Sequence, residues 1–305
     1  MESIWVEKYR PQSLDELTGN PAGLRLLRSQ IHQPGGLQHL LLCGPAGVGK
    51  TSSLHCLARA ILGDQYSSQT CLELNAADDR GIDVVRERIK NFAKNQVRLE
   101  PGRFKIVILD EVEAMTEGAQ QALRRLMEQY SDTRFALACN QSEKVIDPIQ
   151  SRCVRVPMTR LKNEEMKGAL VKICDKENIS YQDDAMQELI EAADGDLRKA
   201  IGSLQAAATA FGKVEIPSVY HACDIPPTED LHAAFDACRK GIWRDAHDAI
   251  FKLLDQGYSG IDVLKALRGV CIKSDAPDAI KILCQKEVTT ALISNDRALD
   301  HLQVE

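Results

Sequence analysis

The stretch Gly44-Pro45-Ala46-Gly47-Val48-Gly49-Lys50-Thr51 decides the fold of this chain. It fits the pattern G-x-x-x-x-G-K-[ST] in full, and it lies between the apolar run 40–43 and a helical segment that begins near Thr51. In this pattern the glycines let backbone N–H groups curl around phosphates, the lysine reaches the β- and γ-phosphates, and the hydroxyl ligates Mg²⁺. A chance glycine-rich turn is the alternative, and the flanking strand and helix make it the weaker one.

The nucleotide-binding residues predicted from this stretch are Gly44, Pro45, Ala46, Gly47, Val48, Gly49, Lys50, Thr51 and Ser52. A second signal is the acidic pair Asp110-Glu111, which follows the nearly all-apolar run 105–109. In a P-loop fold an aspartate at this position holds Mg²⁺ together with the loop hydroxyl, and the neighbouring glutamate orients or deprotonates the attacking water. Two acids can also simply cap the following helix, but the phosphate loop upstream favours a nucleoside triphosphatase. These motifs do not identify the base.

The apolar runs predict a doubly wound α/β domain. Short strands are predicted at 40–43, 71–74, 105–109, 134–139 and 154–156, with helices between them. After Pro157 the strand signal stops, and apolar residues recur at helical spacing. We therefore predict three domains: an α/β nucleotide-binding domain at 1–157, a small helical domain at 158–222 and a second helical domain at 223–305.

Apolar positions define the expected faces of the later helices. One face in the second domain contains Met166, Leu170 and Ile173. In the third domain the expected faces are Leu231, Phe235 and Cys238, then Ile250 and Leu253, then Val263, Leu267 and Val270.

Composition limits the class of protein. The chain has 305 residues, a hydrophobic fraction of 44% and a net charge of −6, which together allow more than one packed core. No apolar run approaches the length of a membrane span, and the first residues lack a signal-peptide pattern. We expect a soluble intracellular protein without a membrane partner. The ten cysteines include no Cys-x-x-Cys pair, so reduced thiols are expected, and the scattered histidines suggest no metal cluster.

One basic segment stands out in this acidic chain. Between Arg80 and Lys105 there are eight basic residues and three acidic ones. Such a segment can bind phosphate groups of a nucleic acid. On composition alone, a solvated helix face explains it equally well.

Several further motifs together resemble the small subunits of replication factor C, the AAA+ clamp loader family. The opening 5–11 (W-V-E-K-Y-R-P) and the tripeptide 18–20 (T-G-N) match its N-terminal motif, and 74–82 (L-N-A-A-D-D-R-G-I) resembles its next conserved box. The segments 119–125, 135–140 and 195–200 also match, and 148–153 contains the Ser-Arg-Cys signature. The resemblance implies an AAA+ ATPase domain followed by a helical lid and a helical collar. In 110–113, D-E-V-E replaces the commoner D-E-A-D.

The resemblance assigns roles that residue chemistry alone would not. It implies that Asn140 senses the γ-phosphate, that Arg198 reaches the phosphates from the lid, and that Arg152 is an arginine finger for the neighbouring subunit's ATP. Without the family, Asn140 would be interpreted as a turn residue and Arg198 as a surface helix residue. A finger acting in trans couples hydrolysis to subunit contact.

The same resemblance implies ligands and partners. Val6, Tyr9 and Arg10 are expected to pack against the adenine, so the cofactors would be ATP and Mg²⁺. Arg80 and Arg86 are candidates for contacts with DNA phosphates, whereas Arg124 and Arg125 are as readily structural or interfacial.

The function implied is an ATP-driven clamp loader subunit in the nucleus. It would act in a heteropentamer with other replication factor C subunits, and load a sliding clamp of the proliferating cell nuclear antigen type onto primer-template DNA. One rival is a homo-oligomeric AAA+ motor such as a Holliday-junction helicase. The other is a structural subunit that binds nucleotide without hydrolysing it.

Overall fold

The computed structural model describes residues 4–31, 37–77, 82–223 and 225–302, without the side chains of 82–86, 228 and 295–302. By compactness the chain divides into two units. The first contains the chain up to Ile179 together with Ala193–Gln205, and the second contains Ser180–Ala192 and the chain from Ala206 onward. The predicted domain boundaries after residues 157 and 222 stay a prediction.

A parallel five-stranded sheet forms the centre of the first unit, in the order β2-β3-β4-β1-β5. The strands are β1 (Leu40–Cys43), β2 (Cys71–Asn75), β3 (Lys105–Asp110), β4 (Thr133–Cys139) and β5 (Val154–Pro157). Each predicted strand is present, and all but the first extend one residue beyond the predicted range. The predicted α/β fold class is confirmed.

Helices cover both faces of this sheet, which explains why its strands are apolar at nearly every position. Because successive side chains point to opposite faces, Leu40 and Leu42 enter one core while Leu41 enters the other. The helices of this unit are α1 (Trp5–Lys8), α2 (Pro21–Ile31), α3 (Lys50–Leu62), α4 (Ile82–Lys94), α5 (Glu117–Gln129), α6 (Asp147–Gln150) and α7 (Asn163–Glu177).

The remaining elements are all helical. They are α8 (Asp183–Ala193), α9 (Leu197–Phe211), α10 (Ile216–Cys223), α11 (Thr228–Arg239), α12 (Trp243–Asp255), α13 (Gly260–Lys273) and α14 (Asp278–Leu302). Within the described ranges, none of the helices is both long and apolar enough to cross a membrane.

Most of the predicted helix faces are buried. In α7 the predicted face of Met166, Leu170 and Ile173 is buried. In the second unit Leu231, Phe235 and Leu253 form a core with Val263 and Val270 from α13. Cys238 is different: it was expected on the buried face of α11, but it lies in the last turn of that helix and is exposed.

The strand order determines where the functional loops meet. Strands β1 and β3 lie on either side of β4, and all three run in the same direction. The residues after their carboxyl ends are Gly44, Glu111 and Asn140, so the phosphate loop, the acidic pair and the predicted sensor lie at one edge of the sheet.

Candidate nucleotide site

The loop between β1 and α3 has a backbone that requires glycine at two positions. Gly47 has φ of 70° and Gly49 has φ of 88°, both in the left-handed region. A Cβ atom at Gly47 would also overlap the carboxylate of Asp196. Helix α3 begins at Lys50, so its N-terminus faces the loop, as the sequence pattern predicts.

Lys50 is buried, with 7% of its surface exposed. Its ammonium donates to the backbone oxygens of Gly44 and Pro45 at 2.8 and 2.7 Å, and to Oδ1 of Asn140 at 2.7 Å. Burial lowers the pKa of Lys50, while the negative charges of Asp110 and Glu113 act against that shift. The side chain thus connects the phosphate loop to the end of β4.

The acidic pair forms a second part of the site. Thr51 Oγ1 donates to Asp110 Oδ2 at 2.5 Å, and the other Asp110 oxygen accepts the backbone N–H of Glu111 at 2.9 Å. Glu111 has φ of 55°, which is uncommon for a residue with a side chain. Such backbone strain is characteristic of functional sites. In this site the strained residue is Glu111, which is predicted to orient the attacking water.

The turn after β4 is held by several side chains. Glu113 Oε1 accepts the backbone N–H of Asn140 at 2.8 Å. The Gln120 amide, 2% exposed, donates to the oxygens of Met115 and Lys144 and accepts the N–H of Ile146. The Asn140 backbone is therefore anchored to the turn that follows the acidic pair.

The start of α9 contacts the phosphate loop directly, within the first unit. Leu197 N–H donates to the Gly47 oxygen at 3.2 Å, and Asp196 Oδ1 caps the helix by accepting from Lys199 N–H at 3.0 Å. Arg198 follows at once; it is exposed, and its charge contributes to lowering the pKa of Lys50.

The N-terminal segment lies at another side of the site and contacts α7. Tyr9 Oη donates to Glu177 Oε1 at 2.5 Å, and Lys8 Nζ contacts the same oxygen at 2.5 Å. The ammonium groups of Lys8 and Lys176 each lie 5.3 Å from the centre of the Tyr9 ring. Burial raises the pKa of Tyr9.

These groups surround a cavity of about 320 Å³. Most of the predicted site residues line it: Val6, Tyr9, Arg10, Ala46, Gly47, Val48, Gly49, Lys50, Thr51, Ser52, Asp110, Glu111, Asn140 and Arg198. Gly44 and Pro45, also predicted to bind nucleotide, do not line the cavity; they accept hydrogen bonds from Lys50 instead.

Arg152 also lies outside this cavity. Its guanidinium pairs with Glu128 and donates to the Pro148 oxygen at 2.7 Å. The side chain is 37% exposed. Along the chain, Arg152 comes shortly after α6, and α6 comes shortly after the turn that follows Asn140. This position is compatible with the predicted role toward a neighbouring subunit, because Arg152 does not approach its own nucleotide site.

The two candidates for DNA contact belong to the basic segment 80–105. Arg80 lies outside the described residues; Arg86 belongs to α4, but its side chain lies outside them. Elsewhere in the basic segment, Arg88, Lys90, Lys94 and Arg98 are exposed. Lys105 is an exception to the predicted phosphate-binding surface, because it is buried and donates to the oxygens of Phe92, Ala93 and Asn95 near the end of α4.

All ten cysteines are free, as expected from their spacing. The thiols of Cys43 and Cys139 nevertheless form a hydrogen bond. Cys139 Sγ donates to Cys43 Sγ at 3.4 Å, between strands β4 and β1. Within the described part of the chain, no cluster of three or more His, Cys, Asp or Glu side chains is arranged to hold a metal ion by itself.

Sequence reasoning missed several residues of the site. From α7, Lys172, Ile173 and Lys176 line the cavity, and Glu177 binds Tyr9. Glu113 was recognised as a departure from the commoner motif but was given no role. The apolar spacing predicted the buried face of α7, but nothing in the pattern indicated which turn of the helix would line the cavity.

The fold and the phosphate loop define the class: this is an AAA+ ATPase. Residues 40–161 match the model of the ATPase family associated with various cellular activities. Residues 168–209 match the lid domain of the RCF1/5-like AAA+ ATPases, and residues 226–292 match the replication factor C C-terminal domain. The chain belongs to the replication factor C small-subunit family, and it is therefore a clamp loader ATPase subunit of DNA replication.

Two relatives illustrate the breadth of this family. Replication factor C subunit 4 of Schizosaccharomyces pombe is 45% identical over 289 residues, which cover 94% of this chain and 84% of that protein. The replication factor C small subunit of the archaeon Staphylothermus marinus is 41% identical over 286 residues, 92% of this chain and 86% of that protein.

A solved structure shares the fold without sharing the sequence. The Holliday junction branch migration motor RuvB of Thermotoga maritima aligns with a TM-score of 0.59 at 18% identity, over 75% of this chain and 79% of that one. At this identity the likeness concerns the fold alone, and the sequence relatives determine the family.

Proposed function

We propose that this chain binds ATP in the cavity described above and hydrolyses it as one subunit of a hetero-oligomer of replication factor C subunits. The observation that supports this most directly is the set of hydrogen bonds joining Lys50, Thr51, Asp110 and Asn140. These four side chains come from three distant parts of the sequence. Their convergence at the glycine-rich loop supports a site for a triphosphate and argues against a purely structural subunit.

Each residue has a task in the proposed reaction. Lys50 exchanges its neutral acceptors for the more strongly accepting β- and γ-phosphate oxygens. Glu111 orients the water that attacks the γ-phosphorus and accepts its proton as the bond to the leaving ADP oxygen breaks. Asn140 hydrogen-bonds the γ-phosphate or the attacking water, and Arg198 neutralises phosphate charge from the start of α9.

The residues fit a bound Mg²⁺. Thr51 and Asp110 place a hydroxyl and a carboxylate oxygen 2.5 Å apart at the end of the loop, and hard oxygen ligands of this kind suit the ion. Mg²⁺ neutralises charge on the β- and γ-phosphates when it is bound. Thr51 and Asp110 would hold it, with the phosphates and water completing the coordination.

The base would lie against the N-terminal segment. Val6, Tyr9 and Arg10 line the cavity there, and Tyr9 is fixed by Glu177 and the nearby lysines. An apolar and aromatic wall of this kind suits a purine ring. We assign adenine to this position because the family is one of ATPases.

Arg152 would complete the site of the adjacent subunit. Its exposure and its place outside its own cavity support this role. In the assembly it would leave Glu128 and contact the neighbour's γ-phosphate, where an arginine stabilises the transition-state charge. Hydrolysis would then depend on contact between subunits.

The complex would open a sliding clamp of the proliferating cell nuclear antigen type and load it onto primer-template DNA in the nucleus. The exposed basic residues at and after α4 support a phosphate-backbone contact, to which Arg80 and Arg86 would contribute. Such binding would depend on salt and be indifferent to base sequence.

Native mass spectrometry of the tagged chain, purified from its own cells, tests the assembly. We expect a hetero-complex of five related ATPases. A homo-hexamer would support the alternative of a homo-oligomeric AAA+ motor, and would refute the clamp and DNA assignments.

Arg152→Ala tests the trans role in the assembled complex. We expect ATP turnover at the completed site to fall by about 10³-fold, because the transition-state charge loses its partner. ATP binding by this chain is expected to stay unchanged, as measured by titration with a fluorescent ATP analogue.

Glu128→Gln is the matched control, because it removes the same ion pair and leaves the finger intact. An exposed pair contributes at most about 1 kcal/mol, so turnover should stay near that of the wild type. Equal loss of binding and turnover in Arg152→Ala would contradict the trans assignment.

A further inference from the structure

Glu113 lies in the short turn 112–114, two residues beyond the acidic pair. Its Oε1 accepts the backbone N–H of Asn140 at 2.8 Å. Asn140 in turn accepts from the Lys50 ammonium at 2.7 Å through Oδ1. Glu113 is thus linked to the phosphate-binding lysine through the predicted sensor, although it does not line the cavity itself.

The second carboxylate oxygen of Glu113 has an unusual environment. Oε2 is buried and has no hydrogen-bond partner. A buried carboxylate oxygen without a partner destabilises a fold, so a residue kept only for stability would be better served by a neutral side chain. The other oxygen, Oε1, binds the backbone of Asn140, whose own side chain contacts Lys50. These two facts point to a role in the site rather than in packing.

We propose that Glu113 is a positioning residue for ATP hydrolysis: it holds the backbone of Asn140 so that the Asn140 amide stays directed at the γ-phosphate when Lys50 moves to the nucleotide. The proposal rests on the function proposed above. The Lys50 ammonium has three N–H donors, and all three already bind acceptors, one of which is Asn140 Oδ1. Lys50 therefore cannot bind the phosphates and also keep all of these hydrogen bonds. The Glu113 contact goes to the backbone, so it does not depend on the Lys50 side chain.

Other parts of the same turn are held independently. Gln120 binds the oxygen of Lys144 and the N–H of Ile146, and Gln150 donates to the oxygens of Ser142 and Val145. The loss of Glu113 should therefore leave the turn folded and release only its first residue, Asn140. This separation makes a specific effect on hydrolysis measurable.

The test is a double-mutant cycle in the assembled complex, with Glu113→Ala, Asn140→Ala and the two combined. We expect each single variant to lower kcat by about tenfold, which corresponds to about 1.4 kcal/mol. The combined variant should be no slower than Asn140→Ala alone, because Glu113 acts through Asn140. The affinity for the fluorescent ATP analogue should change by less than about twofold, since the defect lies in the chemical step.

Two further variants separate the hydrogen bond from other effects. Glu113→Gln keeps an oxygen that can accept the Asn140 N–H, so it should retain kcat within about threefold of the wild type. Glu143→Ala removes one exposed acid three residues beyond Asn140 and should leave kcat unchanged.

The outcomes distinguish this proposal from the proposed function. Multiplicative slowing in the combined variant, or a Glu113→Gln variant as slow as Glu113→Ala, would overturn the positioning role. Normal turnover in Glu113→Ala together with slow turnover in Asn140→Ala would refute the positioning role of Glu113 and leave the sensor role of Asn140 intact. Normal turnover in Asn140→Ala would refute the sensor assignment, and the Glu113 proposal with it.

Discussion

Two thiols lie at the ends of the strands that lead into the phosphate loop and into Asn140. Cys43 and Cys139 are register partners on β1 and β4, and their sulfur atoms are 3.4 Å apart. The hydrogen bond from Cys139, helped by the charge of Arg155, lowers the pKa of Cys43 to about 7, and the pKa of Cys139 is raised in turn. We therefore expect Cys43, the residue next to Gly44, to be the thiol of this pair that loses its proton first.

Alkylation tests this assignment at the level of single residues. At pH 8 we expect iodoacetamide to modify Cys43 faster than Cys56 or Cys153, whose pKa values burial raises to about 11 and about 12. The rate at Cys43 should reach half its maximum near pH 7, read site by site by mass spectrometry.

The Cys139→Ala variant is the control for this experiment. It removes the hydrogen bond that stabilises the thiolate, so alkylation of Cys43 at neutral pH should slow. Equal alkylation rates at Cys43 and Cys56 in the wild type would contradict the assignment.

At the scale of elements, the most consequential contact joins helix α9 to the phosphate loop. Asp196 caps the helix, and its carboxylate occupies the space that a Cβ atom at position 47 would need. The backbone N–H of Leu197 donates to the Gly47 oxygen. The loop therefore cannot change shape without moving the start of the helix that contains Arg198. We therefore expect α9 to respond when a nucleotide binds to the loop.

Gly47→Ala should disrupt this contact. The new Cβ overlaps Asp196 and the φ of 70° is unfavourable for alanine, so we expect affinity for the fluorescent ATP analogue to fall by at least about tenfold. Titration of the purified chain measures this loss.

Gly102→Ala is the matched control for Gly47→Ala. Gly102 has a similar φ of 86° but open space around its Cβ position. Only the backbone strain, about 1 to 2 kcal/mol, should appear in urea unfolding, with ATP affinity intact. If both variants bound ATP like the wild type, the contact between the phosphate loop and α9 would not contribute to ATP binding.

At the scale of the whole molecule, stability should depend on pH through His39. This ring accepts the Phe135 N–H at Nδ1 and packs edge-on against the Phe135 ring. Burial, assisted by the charge of Arg134, lowers the pKa of His39 from 6.5 to about 4. The unfolded chain binds a proton between these values and the folded chain does not, so stability falls as pH drops from about 6.5 to about 4.

His39→Asn, whose side-chain oxygen can still accept the Phe135 N–H, should remove this dependence. We expect the wild type to lose about 1 to 2 kcal/mol over that pH range through this group, after allowance for partial solvent exposure. Trp5 is buried in the first unit and Trp243 is exposed in the second, so urea unfolding followed by fluorescence in a Trp243→Phe background reports the unit that contains His39. Parallel pH profiles for the two proteins would refute the assignment.

The parts of the site predicted from sequence are those that local patterns specify. The apolar runs identified all five strands, and the acidic pair after the third run was assigned to the phosphate loop from its chemistry, whereas the role of Asn140 came from the family resemblance. Gly47 and Gly49 adopt the left-handed backbone that the motif requires.

The features that were not predicted depend on contacts between residues far apart in the chain. Glu177 resembles any charged residue at a helix end, yet it binds Tyr9, 168 residues away. Lys105 counted as part of a basic segment, but it is buried because three oxygens near the end of α4 replace its water. Neither burial nor partner can be deduced from periodicity, because both depend on how the elements pack.

The pairing of β1 with β4 also constrains how the chain is made. Leu41 is in register with Leu137, yet residues 44–132 separate the two strands that support the phosphate loop and Asn140. Long-range parallel pairing forms late, because a large loop must close before its contacts contribute. A chain emerging from the ribosome therefore carries the complete glycine-rich motif well before it has a place to bind a nucleotide, and ATP can stabilise the protein only after residue 140 has been synthesised and the sheet has closed.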